Sequence, residues 1–249
     1  MKGVCKMKKC RAAFFDIDGT LYREGLITEI FKKLIKSDII EEDRWYNEVR
    51  EKYNNWDKRV GNYDDYLLKI AEIYTEAIIG LHRIQIEFIA RNVVKHKGDR
   101  VYIYIRDRIK YHLENGYKVI AISGSPAELV KEMAQKHGFH DFVGSKYLVD
   151  ENQLYTGEVA PMWDSTNKDR AIKNFVEKYN IDLDNSYAYG DTAGDFSMFQ
   201  LVGNPVAMNP TKELINKIKS NKNTAAKAKV VVERKDMQYH IRPEDLDIK

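Results

Sequence analysis

Residues 11–20 read Arg-Ala-Ala-Phe-Phe-Asp-Ile-Asp-Gly-Thr, and the change of character within this stretch decides the fold. Arg11 to Asp16 reads as a short strand whose apolar run is continuous, the pattern of a strand buried on both faces. It ends in a polar turn, Asp16-Ile17-Asp18-Gly19-Thr20. Two later stretches repeat the form, Tyr117–Ser123 (YKVIAIS) and Ser186–Gly190 (SYAYG), each after a helical segment. Strands alternating with helices predict an α/β fold built on a parallel sheet, whose ligands gather at the carboxyl ends of the strands.

Ser125-Pro126-Ala127-Glu128 reads as a helix start, with serine as N-cap, proline at N1 and glutamate at N3, for a run to His137 that stops at Gly138. Thr166 followed by Asp169 opens a second helix over Lys168–Tyr179 in the same way. Two strand-like runs within 142–159 flank Asp150-Glu151-Asn152-Gln153 and predict a hairpin, and Val230–Val232 reads as a late strand.

Almost a hundred residues separate Thr20 from Tyr117, far more than the roughly 12–30 that a crossover needs. Leu26, Ile27, Ile30, Phe31, Leu34 and Ile35 form one helical stripe, and Tyr63, Tyr66, Leu67, Ile70, Tyr74 and Ala77 another. Trp45, Val49, Tyr53 and Trp56 suggest a further helix, and Ile105, Ile109 and Leu113 a core helix ending at Gly116. The expected division is an inserted helical subdomain over 22–98, with 1–21 and 99–249 forming the sheet-containing core.

Composition narrows the class. With 43% hydrophobic residues and 28 aromatics in 249, the chain can bury a substantial core, which excludes disorder as its main state. No apolar run approaches the roughly 18–20 residues that span a bilayer, and the basic start MKGVCKMKKC lacks the apolar stretch of a signal peptide. Cys5 and Cys10 cannot build a disulfide framework and read as reduced thiols, so a cytoplasmic protein without membrane partners is expected. Residues 211–229 hold six lysines against one glutamate, yet no aromatics interleave with them. They read as a solvated helix face followed by a polar loop, and no nucleic-acid partner is expected.

Asp16 and Asp18, two apart on an extended strand end, point to one face. Carboxylates this close repel unless a cation lies between them or one is protonated. Mg²⁺ is the natural partner, a hard, oxygen-seeking ion able to screen a phosphate. Gly19 permits a tight turn and close approach of a substrate. Ser123-Gly124-Ser125, a hydroxyl and glycine amides at a helix start, forms an anion-binding corner. Lys168 lies in the first turn of its helix, where a cation opposes the macrodipole unless it faces an anion. Gly190-Asp191-Thr192-Ala193-Gly194-Asp195 adds two carboxylates at a third strand end.

In this order, Asp16-x-Asp18-Gly19-Thr20, Ser123, Lys168 and Gly190-Asp191-x-x-x-Asp195, the chain resembles the haloacid dehalogenase-like phosphohydrolases from about Arg11 to Asn209. Its insertion between the first two motifs resembles the helical cap of their phosphoserine phosphatase-like branch. The resemblance implies a Rossmann-like core and an all-helical cap. Asp16 would be the nucleophile that forms an aspartyl-phosphate, and Asp18 the acid and then the base. Mg²⁺ would be held by the Asp16 carboxylate, the Asp18 carbonyl and Asp191. Gly19, Ser123, Gly124 and Lys168 would bind the phosphate, with Thr20 and Asp195 supporting them. The implied activity is hydrolysis of a small phosphomonoester. Transfer to another acceptor through the same intermediate, and phosphate binding without catalysis, are the alternatives. Asp18 argues against a dehalogenase, because halide leaves without a proton.

Two departures from that branch bear on the substrate. Gly194 stands where phosphoserine phosphatases commonly have asparagine. Their cap grips the amino acid with an acid and an arginine, but here Gly25 takes the matching place of the acid, with Glu24 one position off. The helix from Asn62 carries Lys69 and no arginine. Lysine supplies charge without a two-pronged grip. The expectation is a more apolar, tyrosine-rich cap and a substrate other than phosphoserine, such as a phospho-alcohol or phospho-amine.

Overall fold

The computed structural model describes residues 9–61 and 63–247, and at Asp64 the backbone alone. Cys5 and Asn62 therefore lie outside the described residues, while Cys10 is a free thiol. The strands are β1 (Ala12–Phe15), β2 (Lys118–Pro126), β3 (Asp141–Val149), β4 (Tyr155–Ala160), β5 (Tyr187–Gly190), β6 (Asn204–Met208), β7 (Lys229–Arg234) and β8 (Met237–Ile241). They form one eight-stranded sheet in the order β4-β3-β2-β1-β5-β6-β7-β8. The six inner strands are parallel, and β4 and β8 run antiparallel at the edges. β1 is central: Ala12 pairs with Lys118 and Ala13 with Tyr187.

Between β1 and β2 lie α1 (Leu26–Ile35), α2 (Glu42–Arg44), α3 (Arg50–Asp57), α4 (Tyr63–Ile78), α5 (Arg83–Lys97) and α6 (Ile103–Glu114). One turn, Trp45–Val49, is π-helical and joins α2 to α3. The remaining helices are α7 (Ala127–His137), α8 (Ser165–Tyr179), α9 (Phe196–Leu201), α10 (Lys212–Ser220) and α11 (Lys222–Lys227). Period-two alternation in the strands sends successive residues to opposite faces. Ala13, Phe15, Val119 and Tyr189 pack with the insertion, α6 and α7. Ala12, Phe14, Ile120 and Ala188 pack against α8, α9 and α10. Among the described residues no helix is long and apolar enough to cross a membrane.

The chain leaves β1 for the insertion and returns from it through one ribbon of paired backbone. Arg23 N donates to Arg100 O at 3.0 Å and Tyr102 N to Leu21 O at 3.0 Å, with Tyr22 bridged to Val101. Glu233 on β7 anchors the return, accepting from the amides of Ile103 (3.0 Å) and Tyr104 (2.8 Å) in the first turn of α6.

Three local expectations need correction. Ser125 does not cap α7: β2 continues to Pro126, which pairs with Ser145 of β3, and Pro126 itself takes the N-cap place. α8 begins at Ser165 and is capped by Asp164, whose side chain accepts from Asn167 N, so Thr166 is inside the helix. After α10 the lysine-rich segment forms α11 instead of a polar loop, with Asn221 accepting from Thr224 N as its cap. The hairpin and the stop at Gly138, in left-handed backbone with φ +75°, follow the sequence reading.

Candidate active site

Asp16, the first residue after β1, is buried and fixed from both ends. Its amide donates to Tyr189 O at 2.9 Å, and its Oδ1 accepts from Lys168 Nζ at 2.7 Å. Lys168 is also buried and donates to Asp195 Oδ1 at 2.5 Å. The other oxygen of Asp195 accepts from the amides of Asp191 and Thr192 at 3.0 Å each, closing the turn after β5. Lys168 thus ties the end of β1 to the end of β5. Burial works against its charge, but Asp16 and Asp195 outweigh that and hold its ammonium well above the usual lysine range.

Asp18 faces a different set of partners. Its Oδ1 accepts from Leu26 N at 2.6 Å, at the start of α1, and its Oδ2 from Ser123 Oγ at 2.9 Å. The same Ser123 oxygen accepts from Ser125 N at 3.1 Å. The hydroxyl expected at the anion corner is therefore shared with the acid. Burial raises the Asp18 carboxyl above its ordinary range, and the bonds from Leu26 and Ser123 pull against that shift.

The third strand end supplies Asp191. Its Oδ1 accepts from Thr20 Oγ1 at 2.9 Å, and its Oδ2 lies over Gly19. Gly19 is left-handed, with φ +78°, and a Cβ there would fall 2.1 Å from that oxygen. No other residue tolerates both constraints. Asp16, Asp191 and Asp195 bring carboxylate oxygens within 4.8 Å of one another. Four carboxylates here face one lysine. Burial, together with Asp195 and Asp18, raises Asp16 despite Lys168, while burial, Asp16 and Asp195 raise Asp191. The donors are hard oxygens with surplus negative charge, a set that fits Mg²⁺. Asp195 has its oxygens committed to Lys168 and the turn, so Asp16 and Asp191 are the carboxylates open to a cation.

All nine sequence-derived site residues, Asp16, Asp18, Gly19, Thr20, Ser123, Gly124, Lys168, Asp191 and Asp195, thus meet at the carboxyl ends of β1, β2 and β5 and the start of α8. The motifs did not announce two aromatic neighbours. Tyr63 heads α4 and reaches Gly25, the neighbour of Leu26 whose amide bonds Asp18; burial first, and then the charge of Asp18, raise its phenol above the usual range. A Cβ on Gly25 would lie 3.4 Å from both Tyr63 OH and Thr28 Oγ1 and 3.5 Å from Leu67 Cδ2. Trp163 passes over the other side. A Cβ on Gly194 would meet Trp163 O at 2.6 Å, which explains why an asparagine does not occupy that position.

The sequence model of haloacid dehalogenase-like hydrolases matches residues 13–200. The inhibition of morphological differentiation protein of Streptomyces azureus is 26% identical over 205 residues, covering 82% of this chain and 73% of that protein. A phosphoserine phosphatase of Mycobacterium tuberculosis is 28% identical over 118 residues, which cover 47% of this chain and only 38% of that enzyme. The crystal structure of a protein with unknown function from Bordetella pertussis superposes with a TM-score of 0.69 at 15% identity, covering 86% of this chain and 96% of that one.

Proposed function

The chain belongs to the haloacid dehalogenase-like hydrolase family, and from that premise we propose that it is a Mg²⁺-dependent phosphatase acting on a small phosphomonoester through an aspartyl-phosphate. The observation that carries this reading is the pair of bonds that hold Asp16 and Asp18 apart in role. Asp16 meets a cation, Lys168, at 2.7 Å, while Asp18 meets hydrogen-bond donors, Leu26 N at 2.6 Å and Ser123 Oγ at 2.9 Å. Different surroundings separate the tasks of two neighbouring acids.

In this reading an Asp16 oxygen attacks phosphorus and the ester P–O bond breaks, its electrons passing to the leaving oxygen. Asp18 gives that oxygen its proton. Asp18 then takes a proton from water, whose oxygen attacks the phosphorus of the aspartyl-phosphate. Inorganic phosphate leaves and the Asp16 carboxylate returns. Lys168 keeps Asp16 aimed and offsets charge on the phosphoryl oxygens, and Ser123 and Gly124 hold those oxygens. The Asp16 and Asp191 carboxylates and the Asp18 carbonyl would hold Mg²⁺, which when bound would supply the charge that lets a carboxylate approach a phosphate dianion.

Residues 22–98 are the proposed cap over this core. Gly25, Tyr63, Thr28 and Leu67 meet where a phosphoserine phosphatase would place its acid, and they offer hydroxyls and an apolar methyl group. This favours a phosphoester lacking the charged amino-acid end. Hydrolysis of p-nitrophenyl phosphate, with Mg²⁺ and with chelator, tests the activity, and trapping of phosphate on Asp16 by mass spectrometry tests the intermediate. Metal-independent turnover would sink the assignment.

A further inference from the structure

We propose that Trp163 is a specificity-determining residue of this site: its indole forms the wall against which the organic part of the substrate packs. It thereby selects leaving groups with an apolar face wider than the hydroxymethyl of serine. The inference rests on the phosphatase reading above and names the chemistry its substrate brings.

The segment from Pro161 to Asp164 connects β4 to α8 and lies across the end of β2 and the turn after β5 at closer range than side chains allow. A Cβ on Gly124 would meet Trp163 Cβ at 2.8 Å and its Cα at 3.2 Å, and a Cβ on Gly194 would meet Trp163 O at 2.6 Å. The side chain of Trp163 therefore springs from directly over the glycine that follows Ser123. Ser123 in turn holds Asp18, the residue that meets the leaving oxygen.

The backbone on either side is fixed. Met162 N donates to Ser145 Oγ at 3.0 Å, and Ser145 donates to Gly124 O at 2.7 Å. Ser165 Oγ bonds the carbonyls of Ala193 at 3.3 Å and Gly194 at 3.2 Å. Asp164 accepts from Asn167 N at 2.8 Å. Trp163, carried on this rigid strap, is nonetheless 43% exposed. Among the described residues no other ring stacks on it, whereas Trp45 and Trp56 are each packed among the cap's aromatic rings. A large apolar side chain rooted over Gly124, held by this backbone and left partly open, is a pre-organised anchor.

The test is calorimetric binding of two substrate-like phosphonates in Mg²⁺, phenylphosphonate and methylphosphonate, to the whole protein and to Trp163→Ala and Trp163→Phe. The wild type is expected to favour the phenyl compound by about tenfold, the range of one aromatic contact. Trp163→Ala should bring that ratio close to one, and Trp163→Phe should keep most of it. Absence of a preference in the wild type, or an unchanged ratio in Trp163→Ala, overturns the proposal. A parallel loss of affinity for both ligands with a lowered Tm also overturns it, since that is the behaviour of a purely structural strap. If the ratio behaves as expected while phenyl phosphate is not hydrolysed, the contact stands and the phosphatase reading falls.

Discussion

A Cβ at position 19 would lie 2.1 Å from Oδ2 of Asp191, so the backbone of the first motif and the carboxylate of the last occupy space that only a glycine leaves free. Gly19→Ala must either displace Asp191 or move the turn, and it also pays roughly 1–2 kcal/mol for a left-handed residue with a Cβ. A displacement near 1 Å costs about a hundredfold in turnover. We expect kcat/KM on p-nitrophenyl phosphate to fall by about that factor while Tm drops only a few degrees. Activity close to wild type would show that the Asp191 position is unimportant.

Asp16→Asn should fold and lose essentially all turnover, because an amide cannot form the phospho-enzyme. Asp18→Asn should lose about 10²–10⁴-fold on alkyl phosphates and much less on esters whose leaving group needs no proton. The check is a series of esters spanning leaving-group pKa. A flat loss across the series removes the acid role from Asp18.

Chelator should abolish activity and Mg²⁺ restore it, with Asp191→Ala shifting the Mg²⁺ dependence to higher concentration or ending turnover. Thr20→Ala, which removes the 2.9 Å bond to Asp191 Oδ1, should shift the same dependence more modestly. A metal titration of each variant reads both effects. Full turnover in excess chelator contradicts the cofactor.

Phosphoserine should not lead a panel of phosphomonoesters. Glu24, the nearest acid to Gly25, is engaged with Arg100 at 2.8 Å. Lys69 pairs with Glu48 at 3.1 Å and Glu72 at 3.0 Å. A kcat/KM for phosphoserine about a hundredfold above every other ester would refute the apolar reading of the cap.

His112 sets a test of stability. It is fully buried against Tyr189, with Nε2 2.8 Å from the phenol oxygen, and burial pushes its pKa down to about 3. A folded-state value below the unfolded one means that the unfolded chain binds the extra proton. The stabilising contribution is therefore complete above about pH 6.5 and is lost as pH falls toward the folded value. Between pH 7.5 and 5 the loss should reach about 2 kcal/mol. Urea unfolding of wild type against His112→Gln at both pH values measures it, and the difference between the two proteins should shrink at pH 5.

The parts legible in the sequence are those where one physical signal acts alone. The apolar run before Asp16, the long helical insertion and the hairpin over 142–159 are read directly from periodicity, and the site follows from carboxylates at strand ends. Ser125 misleads because its cap pattern competes with a sheet: Pro126, which lacks a donor, still pairs with Ser145, and the strand wins. Thr166 gives way to Asp164, a stronger acceptor two residues earlier. β6 begins Asn-Pro, and β8 is an exposed edge strand, so neither carries a clear strand signature. Trp163 belongs to no motif. Its place comes from two glycines far apart in the chain, Gly124 and Gly194, and only the fold brings them together.

The central position of β1 has a kinetic consequence. Ala12 to Phe15 pair on one side with Lys118–Ala121, and Ala13 to Phe15 on the other with Tyr187–Tyr189, so both neighbours arrive from more than a hundred positions away. Such non-local pairing pays its loop-closure entropy before any contact rewards it, whereas the helices of the insertion form from local contacts. On refolding, helical signal should therefore return early and Asp16 should be seated last. Recovery of activity then follows the slowest phase of folding, and a partly refolded chain is rich in helix yet has no working site.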